Sequence, residues 1–169
     1  MRLTLVKNSY RQAHELLNAR PAIKEEIERG LLSPELSPPT LSRVNFNDLL
    51  KQWLVRGGWQ HHPTLFYEPV NPLDKIEFIK ERVGLEIGFR HSSLIGHNLI
   101  KFQFSSAHFQ DPIDVGVLIT TTRNFQKWIR GDHHHNWSGS MNFEKVERYL
   151  RHFTATITMP IYLIGIDIA

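Results

Sequence analysis

Apolar residues recur at helical spacing through the first third of the chain. Between Tyr10 and Arg20, Ala13, Leu16 and Leu17 fall near one face, which predicts a helix. Pro21 suits the first turn of a second helix carrying Ile23, Ile27 and Leu31, with Gly30 near its end. The stretch 33–40 holds three prolines and reads as a loop. Asn47–Trp59 predicts a third helix, with Leu49, Leu50, Trp53 and Leu54 as its stripe and Gly57-Gly58 as its stop. Trp53 and Trp59 belong to that packed surface, whereas Trp137 lies in a polar segment and is expected to be more open.

The period then shortens. Thr64–Glu68 is strand-like, and Lys75–Ile79 alternates. Arg82–Phe89 sets Val83, Leu85, Ile87 and Phe89 on one face and Gly84, Glu86 and Gly88 on the other. A turn at Lys80-Glu81 would join these last two strands into an antiparallel hairpin. Ser92–Phe104 reads as a helix through Ile95, Leu99 and Phe102. Ile113–Thr120 and Met159–Ile168 are near-continuous apolar runs of the buried-strand type, and Asn142–Phe153 between them is helical. Helices first, then a hairpin, then strand–helix alternation predict an α/β fold with a mixed central β-sheet flanked by helices. Residues 1–169 are expected to form one domain, with a helical part over 1–60 and an α/β core over 61–169.

Composition narrows the function classes. The chain has no cysteine, which excludes disulfides, thiolate metal sites and a cysteine nucleophile. No apolar run approaches a membrane span, and residues 1–10 lack the apolar core of a secretion signal, so a cytoplasmic protein is expected, with no membrane partner. The net charge of +3 is too small to identify a partner. Its placement says more: Arg123, Lys127, Arg130 and His133-His134-His135 crowd one segment in which Asp132 is the acid. Neighbouring histidines rarely converge on one metal, so neither this run nor His61-His62 is read as a zinc site.

Glu86 stands out as a carboxylate in an otherwise apolar strand, on the face it shares with two glycines. The bland alternative is a glutamate facing solvent. The predicted hairpin, however, brings Glu77 close to it across the ladder. Two carboxylates so close repel unless a cation neutralises them, and hard oxygen ligands suit Mg2+. Asp74 is a third acid nearby, pointing to the other face if the strand begins that early. Asp114, alone in a buried strand, is read as a structural hydrogen-bonding group.

The order of these pieces resembles BglII-like restriction endonucleases, a branch of the PD-(D/E)XK nucleases. The resemblance runs through Glu77, then Val83-Gly84-Leu85-Glu86-Ile87-Gly88-Phe89, then Lys101-Phe102, then Ile113-Asp114-Val115-Gly116-Val117. Trp137-Ser138-Gly139-Ser140 with Phe143-Glu144-Lys145-Val146, and Met159 to Ile166, extend it over most of the chain. It implies a restriction-endonuclease-like core and hydrolysis of duplex DNA. It also implies Mg2+ held by Glu77, Glu86 and the Ile87 carbonyl, and a homodimer acting on a short palindrome with no organic cofactor. Two positions depart from the pattern. The first acid is usually aspartate, and the third active-site position, usually Gln, Glu or Lys, is Gly88. Lys80, or His91 reaching in, is a candidate substitute for that third group. A nuclease-fold module that binds DNA or protein without cutting is the alternative.

The resemblance places two segments near DNA: Arg90-His91-Ser92-Ser93, and His133 to Ser140 with His134, His135, Asn136 and Ser138 between. Arginine and asparagine read base edges, and serine and histidine are adaptable donors there. Lys101, Lys127 and Arg130 suit phosphates.

Overall fold

The computed structural model describes residues 2–35, 42–62, 76–106 and 112–169. Its first element is a strand, β1 (Leu3–Tyr10), where the sequence predicted only helix. This edge strand leaves most side chains half-buried or exposed, and Lys7, Asn8 and Ser9 interrupt its apolar alternation. Three helices follow: α1 (Ala13–Asn18), α2 (Pro21–Leu31) and α3 (Arg43–Arg56). Pro21 sits in the first turn of α2, and the Ser42 side chain caps α3 by accepting from the Asn45 amide. The two-residue strand β2 (Gln60–His61) leads to the hairpin of β3 (Phe78–Lys80) and β4 (Val83–Ile87). The expected strand Thr64–Glu68 and Asp74 lie outside the described residues.

A short 3-10 turn, Ser92–Leu94, opens α4 (Ile95–Ser105), and β5 (Val115–Thr121) comes next. Arg123–His133 forms α5, capped by Thr122, with Phe125 and Ile129 buried. Helix α6 (Phe143–His152) and strand β6 (Ile161–Ile168) complete the order.

The sheet runs β1-β6-β5-β4-β3-β2. Its centre, β4-β5-β6, is parallel, and the flanking pairs are antiparallel, so the sheet is mixed and helices lie on both faces. Every residue of β4 and β5 is buried, as expected of strands covered on two sides. One core packs α1, α2, α3 and α5 against Leu85, Ile87, Val117 and Ile119. The other packs α4 and α6 against Ile79, Leu118 and Leu163.

The hairpin turn falls one residue later than predicted. Lys80 pairs with Val83, leaving Glu81 and Arg82 as the turn. Both have positive φ (47° and 63°), the sign that a primed two-residue hairpin turn requires. Arg82 closes onto Asp114 through Nε (3.0 Å) and a terminal nitrogen (2.7 Å), and Arg20 pairs with the same carboxylate. Hydrogen bonding from Arg82 holds the Asp114 carboxyl below its ordinary range. Asp114 thus ties the α1–α2 junction to the hairpin.

Trp137 is not open. It is 1% exposed, edge-on to Phe89 (5.1 Å) and Phe125 (5.6 Å) and close to Phe46. It pins the polar 133–140 segment to the helical layer. Trp137→Ala should therefore cost about 3–5 kcal/mol, the range for deleting a buried aromatic, as read from the urea midpoint.

Candidate active site

The β3–β4 ladder stops at the pair Phe78–Leu85. Beyond it the strands separate, and two carboxylates take over the hydrogen bonds that the backbones no longer exchange. The Glu77 amide donates to Glu86 Oε1 (2.9 Å), and the Ile87 amide donates to Glu77 Oε2 (2.9 Å). Each glutamate is held by the other's strand. The sequence placed both acids on facing strands, and the structure brings them together.

Cations approach this wedge from both helical layers. Lys101 of α4 donates to Glu86 Oε1 at 2.7 Å, with side-chain exposures of 13% and 5%. Lys51 of α3 stands 3.6 Å from Glu77 Oε1. Burial pushes the Glu86 carboxyl up to about 7, with Lys101 opposing the rise and the Glu77 charge adding to it. His61, on β2, stacks on Phe78 (4.7 Å between ring centres) within the field of Glu77 and Lys51. Desolvation lowers its pKa, with Glu77 acting in the opposite direction.

Gly84, Glu86 and Gly88 share one face, as the alternation predicted. A Cβ at Gly84 would collide with Ile76 and Ile113. One at Gly88 would stand 2.6 Å from Met141 Sδ and 3.1 Å from Leu118 and Thr120. The position carries no side chain, and one placed there would need Met141 to shift. Lys80 does not take its place. It points into the opposite layer, bonded to Glu26 (2.8 Å) and the Gly57 carbonyl (2.6 Å). The His91 ring is turned to the Ser93 hydroxyl and amide (2.9 and 3.2 Å).

Among the described residues no group of three or more His, Asp or Glu side chains is arranged to hold a metal ion. Two carboxylates are nevertheless a donor set that suits Mg2+, which keeps several waters of its own. The Ile87 amide faces Glu77, at the open edge of the wedge.

The two segments expected at DNA meet beside the wedge. His91 bridges Ser140, the Ser92 amide donates to the Gly139 carbonyl (2.8 Å), and the Met141 amide donates to Arg90 (2.9 Å). Arg90, His91, His134, Asn136 and Ser138 are exposed, and Ser92, His133 and His135 are partly so. Ser140 is buried, with Arg43 at 3.4 Å, and Lys145 reaches Ser92 at the same distance. Asn136 accepts from the Ser138 amide (2.9 Å), shaping the loop. Lys127 and Arg130 are exposed on α5, whereas Lys101 sits in the wedge. Lys51, His61 and the placement of Lys101 were missed by sequence reasoning. Lys51 and His61 reach the site from elements earlier in the chain and Lys101 from the helix that follows β4, and no spacing marks which of them meets the acids.

Comparison with known proteins fits this geometry. The chain superposes on a crystal structure of restriction endonuclease BglII complexed with a DNA 16-mer at a TM-score of 0.76, with 18% identity over 98% of this chain and 79% of that one. Free BglII matches at 0.68, with 22% identity over 98% of this chain and 80% of that one. At these identities the likeness shows the fold. A search among curated protein sequences finds no match. The family profile of restriction endonuclease BglII/BglIII matches residues 5–166, and the chain belongs to that family.

Proposed function

We propose that this protein is a Mg2+-dependent endonuclease that hydrolyses phosphodiester bonds in duplex DNA at a short specific site. The observation that carries the reading is the pairing of Glu77 and Glu86 in the wedge beside the two segments that meet at His91 and Ser140. Glu77, Glu86 and the Ile87 carbonyl would hold the ion. When bound, it supplies charge neutralisation at the phosphoryl oxygens and a water of lowered pKa. The chain's own part is positioning. Reciprocal amide–carboxylate bonds fix both glutamates, and Arg90, His91, Asn136 and Ser138 present donors toward base edges. Lys127 and Arg130 offer charge to phosphates from α5. A homodimer on a palindrome matches two-fold protein symmetry to two-fold site symmetry. The side-chain-free Gly88 position favours a second reading, a DNA-binding module that does not cut.

Glu86→Ala should abolish cutting of phage DNA into discrete bands in Mg2+ or Mn2+ while leaving duplex affinity in place. Wild-type protein that shifts duplex DNA but leaves it intact in both metals would favour the second reading. Replacing Lys127 and Arg130 together by Ala should weaken duplex binding and flatten its salt dependence by a log–log slope of about 2, measured by fluorescence anisotropy.

Proton binding at Glu86 gives a stability signature in metal-free protein. Its folded pKa, about 7, exceeds the ordinary 4.5, so the folded state holds the proton more tightly. That contribution is complete below the unfolded value and is lost as pH rises through 7. In EDTA, the Tm of wild type minus that of Glu86→Gln should therefore fall between pH 5 and 8, and a pH-independent difference would contradict the assignment.

A further inference from the structure

We propose, resting on the nuclease reading, that Lys101 is a catalytic residue. Its ammonium would donate to the attacking water and to the phosphoryl oxygen facing Glu86, as the cationic third group of the site. Lys101 lies in direct hydrogen-bond contact with Glu86, at 2.7 Å, and both side chains are largely withdrawn from water. Taking an ammonium and a carboxylate out of water is costly, and an apolar pair of like volume would hold α4 to the sheet as well or better. The fold keeps the charged pair, and keeps it at the one strand end where the ladder gives way to carboxylates.

Neighbouring positions leave this task to α4. On β4 the next position on the same face is Gly88, and Met141, Leu118 and Thr120 fill the space its side chain would enter. Lys80 is bound in the opposite layer. Lys51 stands 3.6 Å from Glu77, beyond hydrogen-bond reach. The backbone at Lys101 is rigidly placed, because Ile95, Leu99 and Phe102 are buried on either side of it in the helix. Phe102 packs so closely on β5 that a Cβ at Gly116 would come within 2.7 Å of its ring.

In the reaction the water oxygen bonds to phosphorus and one P–O ester bond breaks. The water's proton passes to solvent, and the leaving oxygen takes a proton from a second water. Lys101 stays protonated throughout and acts by stabilising the negative charge that gathers on the phosphoryl oxygens.

Lys101→Met keeps the stem and removes the charge, and Lys101→Gln provides a second variant should the first fail to fold. Three measurements are made on each full-length variant that melts cooperatively: single-turnover cleavage of phage DNA, duplex affinity in Ca2+, and bound Mn2+ counted by electron paramagnetic resonance. The expected result is a rate lower by about 10²–10³-fold, with Mn2+ uptake and duplex affinity held within about threefold of wild type. A variant that cuts at the wild-type rate would overturn the proposal. So would one that loses Mn2+ uptake and recovers its rate at higher Mn2+, since Lys101 would then act only through the ligand it touches. Wild-type protein inert in every metal would overturn the nuclease reading together with this inference.

Discussion

A carboxylate with 4% of its surface exposed must be met by donors or give up its charge. At Glu86 that requirement organises the neighbourhood. Burial alone favours the protonated form, and the Glu77 amide and Lys101 ammonium oppose it. Both donors converge on one oxygen, Oε1. For the amide to arrive there, β3 must leave the ladder at Phe78. For the ammonium to arrive, α4 must lie against the face of β4 that carries glycines. Gly84 and Gly88 flank Glu86 on the same face, where a Cβ would press on Ile76 and Ile113 at the one and on Met141, Leu118 and Thr120 at the other. The acid, the splayed strand and the bare face are one arrangement.

The same arrangement sets where recognition can occur. Strand β4 runs out of the wedge into Phe89, buried against Phe46 and Trp137, and the chain surfaces only at Arg90. Trp137 is anchored in the same aromatic cluster, so the 133–140 segment surfaces beside it. The paired backbones of 90–92 and 139–141 then hold the two polar segments in register next to the carboxylates. Their exposed side chains stand on a rigid base.

Much of this was legible along the chain because its cause is local. Alternation from Val83 to Phe89 sorts Glu86 from Leu85 whatever the tertiary context, and an antiparallel hairpin brings Glu77 near it on the same face, but the register that sets the two directly opposite comes from the turn at Glu81-Arg82, not from the predicted one. Continuous apolar runs identify β5 and β6, since strands covered on both faces need no polar side. The errors had physical causes too. Edge strand β1 is only half-covered, so its pattern is diluted by Lys7, Asn8 and Ser9. Helix α5 buries only Phe125 and Ile129, so two apolar positions among many charges leave little helical signal. The hairpin turn moved by one residue because Glu81 and Arg82 adopt a conformation usually left to glycine or asparagine.

Sequence by itself determined the buried strands β4, β5 and β6, the face on which each acid lies and the absence of side-chain chemistry at Gly88, because these depend on neighbours two to four residues away. Tertiary structure alone decided which cations meet those acids. Lys101 and Lys80 are both lysines close to the motif in sequence, yet one enters the wedge and the other binds Glu26 in the opposite layer. Trp137 was likewise decided by packing, a polar-flanked residue drawn into the core by three phenylalanines. The reason is the same in each case: a side chain's partner is set by which layer of helices its element packs into, and no spacing along the chain encodes that directly.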